Sequence, residues 1–181
     1  MGCEAIGKGT LPNAPKGMVK IRDTSREGRA NLFAYVRTDD EDFEWKWTDC
    51  TKEFPRNQGP GMHWARSILQ FPLGKRQIVV AHKPPMWKGA GDARWEHDQK
   101  LKQIMNPKPN MKRQRLLFWD SNGMHGANAL ADRVKGRVVG DRIDNAIVRN
   151  LNNVAHDYKN GVEGHAFHTD HPWGALWLRF N

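Results

Sequence analysis

Apolar residues recur with a period of two along much of the chain, which predicts strands more often than helices. Residues 2–6 (GCEAI) form a short apolar run and a first strand. Residues 7–28 are rich in Gly, Pro and charge and predict a long loop. Residues 31–37 (NLFAYVR) predict a strand. After the acidic turn at residues 39–42, Phe43, Trp45 and Trp47 alternate with Glu44, Lys46 and Thr48. That alternation marks a half-buried strand, and the two strands together read as a hairpin. Residues 63–71 and 77–82 predict another strand pair, joined through Pro72, Leu73 and Gly74. Asp92 is placed to cap a helix running to Met105, with Trp95, Leu101 and Ile104 on its buried face. Residues 115–120 (RLLFWD) predict a strand and 127–134 a short helix. Residues 143–149 and 173–180 predict the last strands. Strands with few helices imply an α/β sandwich of sheets rather than a doubly wound sheet.

Several apolar strands end in, or are interrupted by, a carboxylate or an imidazole. Glu4 interrupts the first run, His82 ends QIVVAH, and Asp120 ends LLFWD with Asn122 close behind. Asp144 interrupts DRIDNAIV, and Asp170 and His171 precede the final strand. A carboxylate beside apolar strand residues is costly unless paired or metal-bound. Such groups at strand ends can converge on one edge of a sheet, as active sites often do. Taken singly, each has an ordinary alternative. Glu4 can lie exposed near a terminus, Asp120 can cap the Ser121–Asn122–Gly123 turn, Asp144 can pair with Arg142, and His82 can be a satisfied strand-end histidine.

Composition narrows the partners. The chain has 181 residues, 29 of them Lys or Arg and 20 Asp or Glu, for a formal net charge of +9. This length suits one domain with a real core. The excess of cations favours a polyanion, because Lys and Arg neutralise phosphates and release counterions. Cys3 and Cys50 cannot build a disulfide framework. No run approaches the roughly 18 apolar residues of a membrane span, and no secretory signal is visible. A cytoplasmic protein with no membrane partner is expected.

The same polar residues carry a resemblance. Phe118-Trp119-Asp120-Ser121-Asn122 resembles the Gly-Asp-Phe-Asn motif of the endonuclease/exonuclease/phosphatase superfamily, the deoxyribonuclease-I-like proteins. Thr169-Asp170-His171-Pro172 resembles its Ser-Asp-His motif. Arg142-Ile143-Asp144 resembles its Ile-Asp-Tyr strand, Val79-Val80-Ala81-His82 the strand ending in a catalytic histidine, and Cys3-Glu4-Ala5 the Gln-Glu-Val motif. Their order is also the family's order. Trp119 stands where that family usually has Gly, and Asn145 where it usually has an aromatic. The family's first strand and helix have no counterpart before Glu4, so one N-terminally short domain over residues 1–181 is expected.

The resemblance implies a four-layer α/β sandwich of two packed mixed β-sheets flanked by helices. It also implies a phosphodiesterase that depends on Mg²⁺ or Mn²⁺, with DNA the favoured substrate. In that family pattern Glu4 holds the metal with Asp170 nearby, Asp120 orients or deprotonates the attacking water, and Asn122 positions water and phosphate. His171 contacts a phosphate oxygen with Asp144 fixing its tautomer, and His82 serves as general acid or phosphate donor. Lys83 and Arg94, near His82 in sequence, are candidates to contact the phosphate backbone, and Trp87 to stack on a base. The run Lys108, Lys112, Arg113 and Arg115 reads as a solvated linker before it reads as a binding site.

Other motifs carry less. His165, His168 and His171 are spaced three apart, but Gly164 and Pro172 place them in a loop rather than on a zinc-binding helix face. Gly7-Lys8-Gly9-Thr10 lacks the full spacing of a phosphate loop. Two alternatives to the nuclease stay open: a catalytically impaired short relative that binds nucleic acid, and a phosphatase of the same family.

Overall fold

In a computed structural model of the chain, the described residues are 2–5, 13–22, 31–37, 44–49, 67–84, 91–106, 113–140, 144–150, 154–160 and 174–180. Their centre is a six-stranded mixed sheet. It is built from β4 (Lys46–Asp49), β5 (Ser67–Leu73), β6 (Arg76–His82), β7 (Gln114–Asp120), β8 (Arg137–Val139) and β9 (Asp144–Arg149), in the order β4-β5-β6-β7-β9-β8. β5 and β6 form the expected hairpin, with Gly74 at φ 56° in its turn. That left-handed angle suits a residue without a Cβ. β6 and β7 run parallel, joined through helix α1 (Gly91–Met105). β7 leads through helix α2 (Met124–Val134) to the β8–β9 edge.

Alternation along the strands sorts the core into two layers. Val79, Ala81, Leu117, Trp119 and Ile147 pack with the helices, meeting Leu101 and Met105 of α1. On α2 the contact is made by Ala127, Leu130, Ala131 and Val134. Their i, i+3, i+4, i+7 spacing is the stripe an amphipathic helix needs. On the other face Ile78, Val80, Leu116, Ala146 and Val148 pack with Ile21, Leu32, Ala34 and Val36. These last four belong to an antiparallel three-stranded sheet of β1 (Gly2–Ala5), β2 (Val19–Arg22) and β3 (Asn31–Val36), ordered β1-β3-β2. Helices, mixed sheet and second sheet thus stack as layers of an α/β sandwich. A separate antiparallel pair joins β10 (Val154–Asn160) to β11 (Gly174–Phe180).

Two neighbouring arginines tie the helices to the sheet. Arg115 and Arg149 lie opposite each other on β7 and β9. The Arg149 Nε donates to the Val134 carbonyl at 2.7 Å and its Nη1 to that of Met105 at 3.4 Å. The Arg115 Nη1 donates to the Ile104 carbonyl at 2.8 Å. The last carbonyls of a helix have no partner within it and carry the negative end of its dipole, so a cation there answers both needs. Burial lowers the Arg115 pKa from its ordinary value, and the charges of Arg113 and Arg149 lower it further. Arg115 is therefore a buried part of the fold, as its place in the predicted strand 115–120 implies, and not part of the solvated linker that the basic run suggested.

Other expectations need correction. Residues 7–28 are not one loop, because β2 lies within them. The strands at 31–37 and 43–47 do not form a hairpin: β3 pairs with β1 and β2, whereas β4 pairs with β5 in the other sheet. Alternation identifies a strand but not its partner. Trp95, expected on the buried face of α1, is 61% exposed. Ala93, His97, Leu101 and Met105 form the buried face instead, each four residues from the next, and Trp95 falls midway between two of them, on the far side of the turn. β8 is too short and β10 too polar to have been visible by pattern.

Candidate active site

The parallel pair β6–β7 ends at the residues singled out by their polarity. In the register, His82 is opposite Asp120, and Asp120 is opposite Asp144 across β9. Three strand termini thus bring these positions into one row at one end of the six-stranded sheet. Alternation from Val80 and Phe118 puts His82 and Asp120 on the face toward the three-stranded sheet. Both are buried, at 5% and 7% exposure. The His82 Nε2 lies 3.7 Å from the Asp120 Oδ2, within ion-pair distance but beyond a direct hydrogen bond.

The turn after Asp120 closes over it. The Asn122 backbone N–H donates to the Asp120 Oδ1 at 2.7 Å. This is an Asx turn, a local habit of Asp two residues before the donor. Asn122 adopts φ 46°, a left-handed conformation that Asn tolerates better than most residues. Its side-chain Nδ2 reaches across to donate to the Lys83 carbonyl at 2.6 Å. The Lys83 N–H in turn donates to the Asp120 carbonyl at 2.9 Å. The segment after His82 and the segment after Asp120 are therefore laced together.

Behind this row, on the helix side, lies a buried polar bracket. The Trp119 Nε1 donates to the Asn145 Oδ1 at 2.7 Å, and the Asn145 Nδ2 donates to the Ser121 Oγ at 2.9 Å. Trp119 and Ser121 flank Asp120, and Asn145 follows Asp144. The two residues that depart from the family motifs, Trp119 and Asn145, are thus each other's partners. Sequence reading did not give Ser121 or Asn145 a part in the site. The only signal was that both neighbour the candidate carboxylates.

Lys83 is placed differently from the expected contact to a phosphate backbone. Its side chain is 3% exposed and points toward the helices, where Nζ donates to the Asp98 Oδ2 at 2.6 Å. Nζ also stands 5.7 Å from the centre of the Trp119 ring, within cation–π range. Burial lowers the Lys83 pKa and the charges of Arg94 and Arg133 lower it further, against the hydrogen bond and charge of Asp98, which raise it. Arg94 is half-buried and donates through Nη1 to the Pro84 carbonyl. Burial lowers its pKa too, while the charges of Asp98 and Asp120 raise it. Arg94 thus lies in the field of the Asp120 carboxylate. Asp98 was missed, although its i, i+4 relation to Arg94 was readable.

The remaining candidates are described less fully. The Glu4 backbone lies in β1, in register with Leu32 of the three-stranded sheet. Trp87, Asp170 and His171 lie outside the described residues, as do the side chains of Glu4 and Asp144. Among the described residues no group of three or more His, Cys, Asp and Glu is placed to hold a metal ion. The described side chains alone therefore do not make a metal centre. No helix among the described residues is long and apolar enough to cross a membrane.

Several solved structures share this architecture. A humanized D. rerio TDP2 matches with a TM-score of 0.53 and 14% identity, over 91% of this chain and 75% of that one. A mannosyl-6-phosphatase of Bacteroides thetaiotaomicron matches with a TM-score of 0.56 and 17% identity, over 91% and 78%. An endonuclease/exonuclease/phosphatase family protein from the same organism matches with a TM-score of 0.52 and 16% identity, over 91% and 71%. No family model and no curated protein sequence matches the chain. Two packed sheets with helices outside the mixed one give this chain the deoxyribonuclease-I-like α/β fold that these three structures share.

Proposed function

We propose that the chain is a phosphoester hydrolase, and within that class a metal-dependent phosphodiesterase acting on nucleic acid, with DNA the favoured substrate. The observation that carries this reading is the row His82–Asp120–Asp144, with Asn122 folded over Asp120. Hydrolysis at phosphorus needs a positioned water, donors for the charge that develops and a proton for the leaving oxygen. In this reading Asp120 takes the proton of the attacking water and the Asn122 amide positions water and phosphate. His82 supplies a proton or a hydrogen bond to a phosphate oxygen. His171 contacts the same phosphate, held in one tautomer by Asp144. Mg²⁺ or Mn²⁺ on Glu4 and Asp170 would supply charge stabilisation at phosphorus. With the Lys83 ammonium on Asp98, Arg94 and Trp87 are the candidates to contact the rest of the substrate. The net charge of +9 favours a nucleic acid over a small ester.

A second reading, phosphomonoester hydrolysis, is favoured by the likeness to a structure named as a mannosyl-6-phosphatase. The test for both is supercoiled plasmid, bis-p-nitrophenyl phosphate and p-nitrophenyl phosphate offered to the purified chain with Mg²⁺, Mn²⁺ or EDTA. Asp120→Asn serves as control. Metal-dependent nicking and diester cleavage, both lost in the control, support the nuclease. Cleavage of the monoester alone supports the phosphatase. A folded chain that cleaves nothing in any arm overturns both.

A further inference from the structure

We infer that Lys83 and Asp98 form a buried clamp whose work is to position Asn122 against the reacting end of β6 and β7. The geometric part stands by itself, and its kinetic consequence rests on the phosphoesterase reading. Lys83 is held at three points: its N–H by the Asp120 carbonyl, its own carbonyl by the Asn122 Nδ2, and its ammonium by Asp98. The next residue is held as well, since the Arg94 guanidinium donates to the Pro84 carbonyl. Arg94 and Asp98 sit one turn apart on α1, so a single helix face grips two successive residues. Pro84 disfavours the helical conformation at Lys83 and keeps it extended, which sets the direction of the Lys83 carbonyl. That carbonyl orients the Asn122 amide.

The ammonium has little alternative space. It lies over the Trp119 ring, and a Cβ added at Gly126 on α2 would come 2.9 Å from Nζ. The glycine leaves the room that Lys83 occupies. The pair is also a poor device for stability alone. Burial, together with the charges of Arg94 and Arg133, disfavours the charged lysine more than Asp98 favours it. Buried ion pairs replaced by apolar residues of similar volume often leave a protein as stable or more so. A costly pair at the joint between two motif-bearing segments is accounted for by the geometry it imposes. Lys83 is thus a positioning residue that acts through Asn122.

The test uses the full 181-residue chain as wild type, Lys83→Met/Asp98→Leu and Asn122→Ala. Loss of a side-chain amide signal in the last variant assigns the Asn122 Nδ2 protons by NMR. Three quantities are measured: the melting temperature, hydrogen exchange of those protons, and kcat and KM on bis-p-nitrophenyl phosphate. The double variant is expected to melt close to wild type. Its Asn122 side-chain protons should exchange about tenfold faster or more as their acceptor loosens. Its kcat should fall about 10- to 100-fold, as for a displaced positioning group, with KM within about twofold. Unchanged exchange overturns the clamp, and so does faster exchange with kcat retained. If the double variant does not fold, the same measurements on Asp98→Asn, which keeps the side chain's shape, decide by the same outcomes. A wild type with no turnover overturns the phosphoesterase reading, and the exchange rates then decide the clamp on their own.

Discussion

Asn145→Ala tests whether the bracket behind the candidate site holds β7 to β9. Asn145 is buried and bridges the Trp119 Nε1 at 2.7 Å and the Ser121 Oγ at 2.9 Å. Each lost hydrogen bond is worth about 1 kcal/mol net, and leaving the buried indole N–H without its acceptor adds about 1–3 kcal/mol. The expected loss is about 3–5 kcal/mol. For a domain of this size each kcal/mol lowers Tm by about 2–4 °C, so the fall should be roughly 6–20 °C. The assay is thermal or urea unfolding of wild type, Asn145→Ala, Trp119→Phe and the double variant. Phe removes the donor that Asn145→Ala orphans, so the double variant should cost less than the two singles added, by about 1 kcal/mol or more. Because Trp119 and Ser121 flank Asp120, the single variant should also lower kcat more than it raises KM. Additive costs, or a Tm within about 2 °C of wild type, would refute the bracket.

Three further outcomes follow from the packing. Gly136→Ala would place a Cβ 2.9 Å from the Ile147 Cγ2 and 3.0 Å from the Val148 carbonyl oxygen. The second of these is backbone and cannot step aside, so a loss of about 1–3 kcal/mol in urea unfolding is expected, and an unchanged midpoint contradicts it. Burial holds the Lys83 pKa below its unfolded value. Between the two values the unfolded chain binds more protons, so this group's contribution to stability grows as pH rises. The Tm of wild type relative to Lys83→Met/Asp98→Leu should therefore increase between about pH 7 and about pH 10; a flat or falling difference counts against the burial argument. Trp95→Ser, at a position 61% exposed, should change stability by no more than about 0.5 kcal/mol, and a larger loss on unfolding would place that side chain in a packed environment.

The candidate site was legible in part because two of its features are local. A strand whose apolar run stops at His82 or Asp120 shows in one dimension, and so does the Asp-x-Asn-Gly turn that folds Asn122 back on Asp120. The convergence of these residues was only an expectation, since nothing in the sequence states that β6 runs parallel to β7. Asp98 escaped notice because on a helical pattern it is one more charged residue, and only the fold turns it inward onto Lys83. Lys83 was read as a substrate contact for the same reason. A lysine beside a candidate histidine looks exposed until alternation and a helix overhead bury it.

What the sequence by itself determined is what depends on neighbours along the chain. The β5–β6 hairpin, the 127/130/131/134 stripe of α2, the polar strand ends and the excess of positive charge all follow from periodicity, turn chemistry and composition. The tertiary structure decided the partners. It set β3 in one sheet and β4 in another, turned Trp95 to solvent, gave Arg115 and Arg149 the helix ends to hold, and lined up His82, Asp120 and Asp144 in one row. The reason is physical. A period of two says which side chains share a face, but strand order and the burial of a charge are set by contacts between segments far apart in the chain, and their free energy exists only once those segments have met.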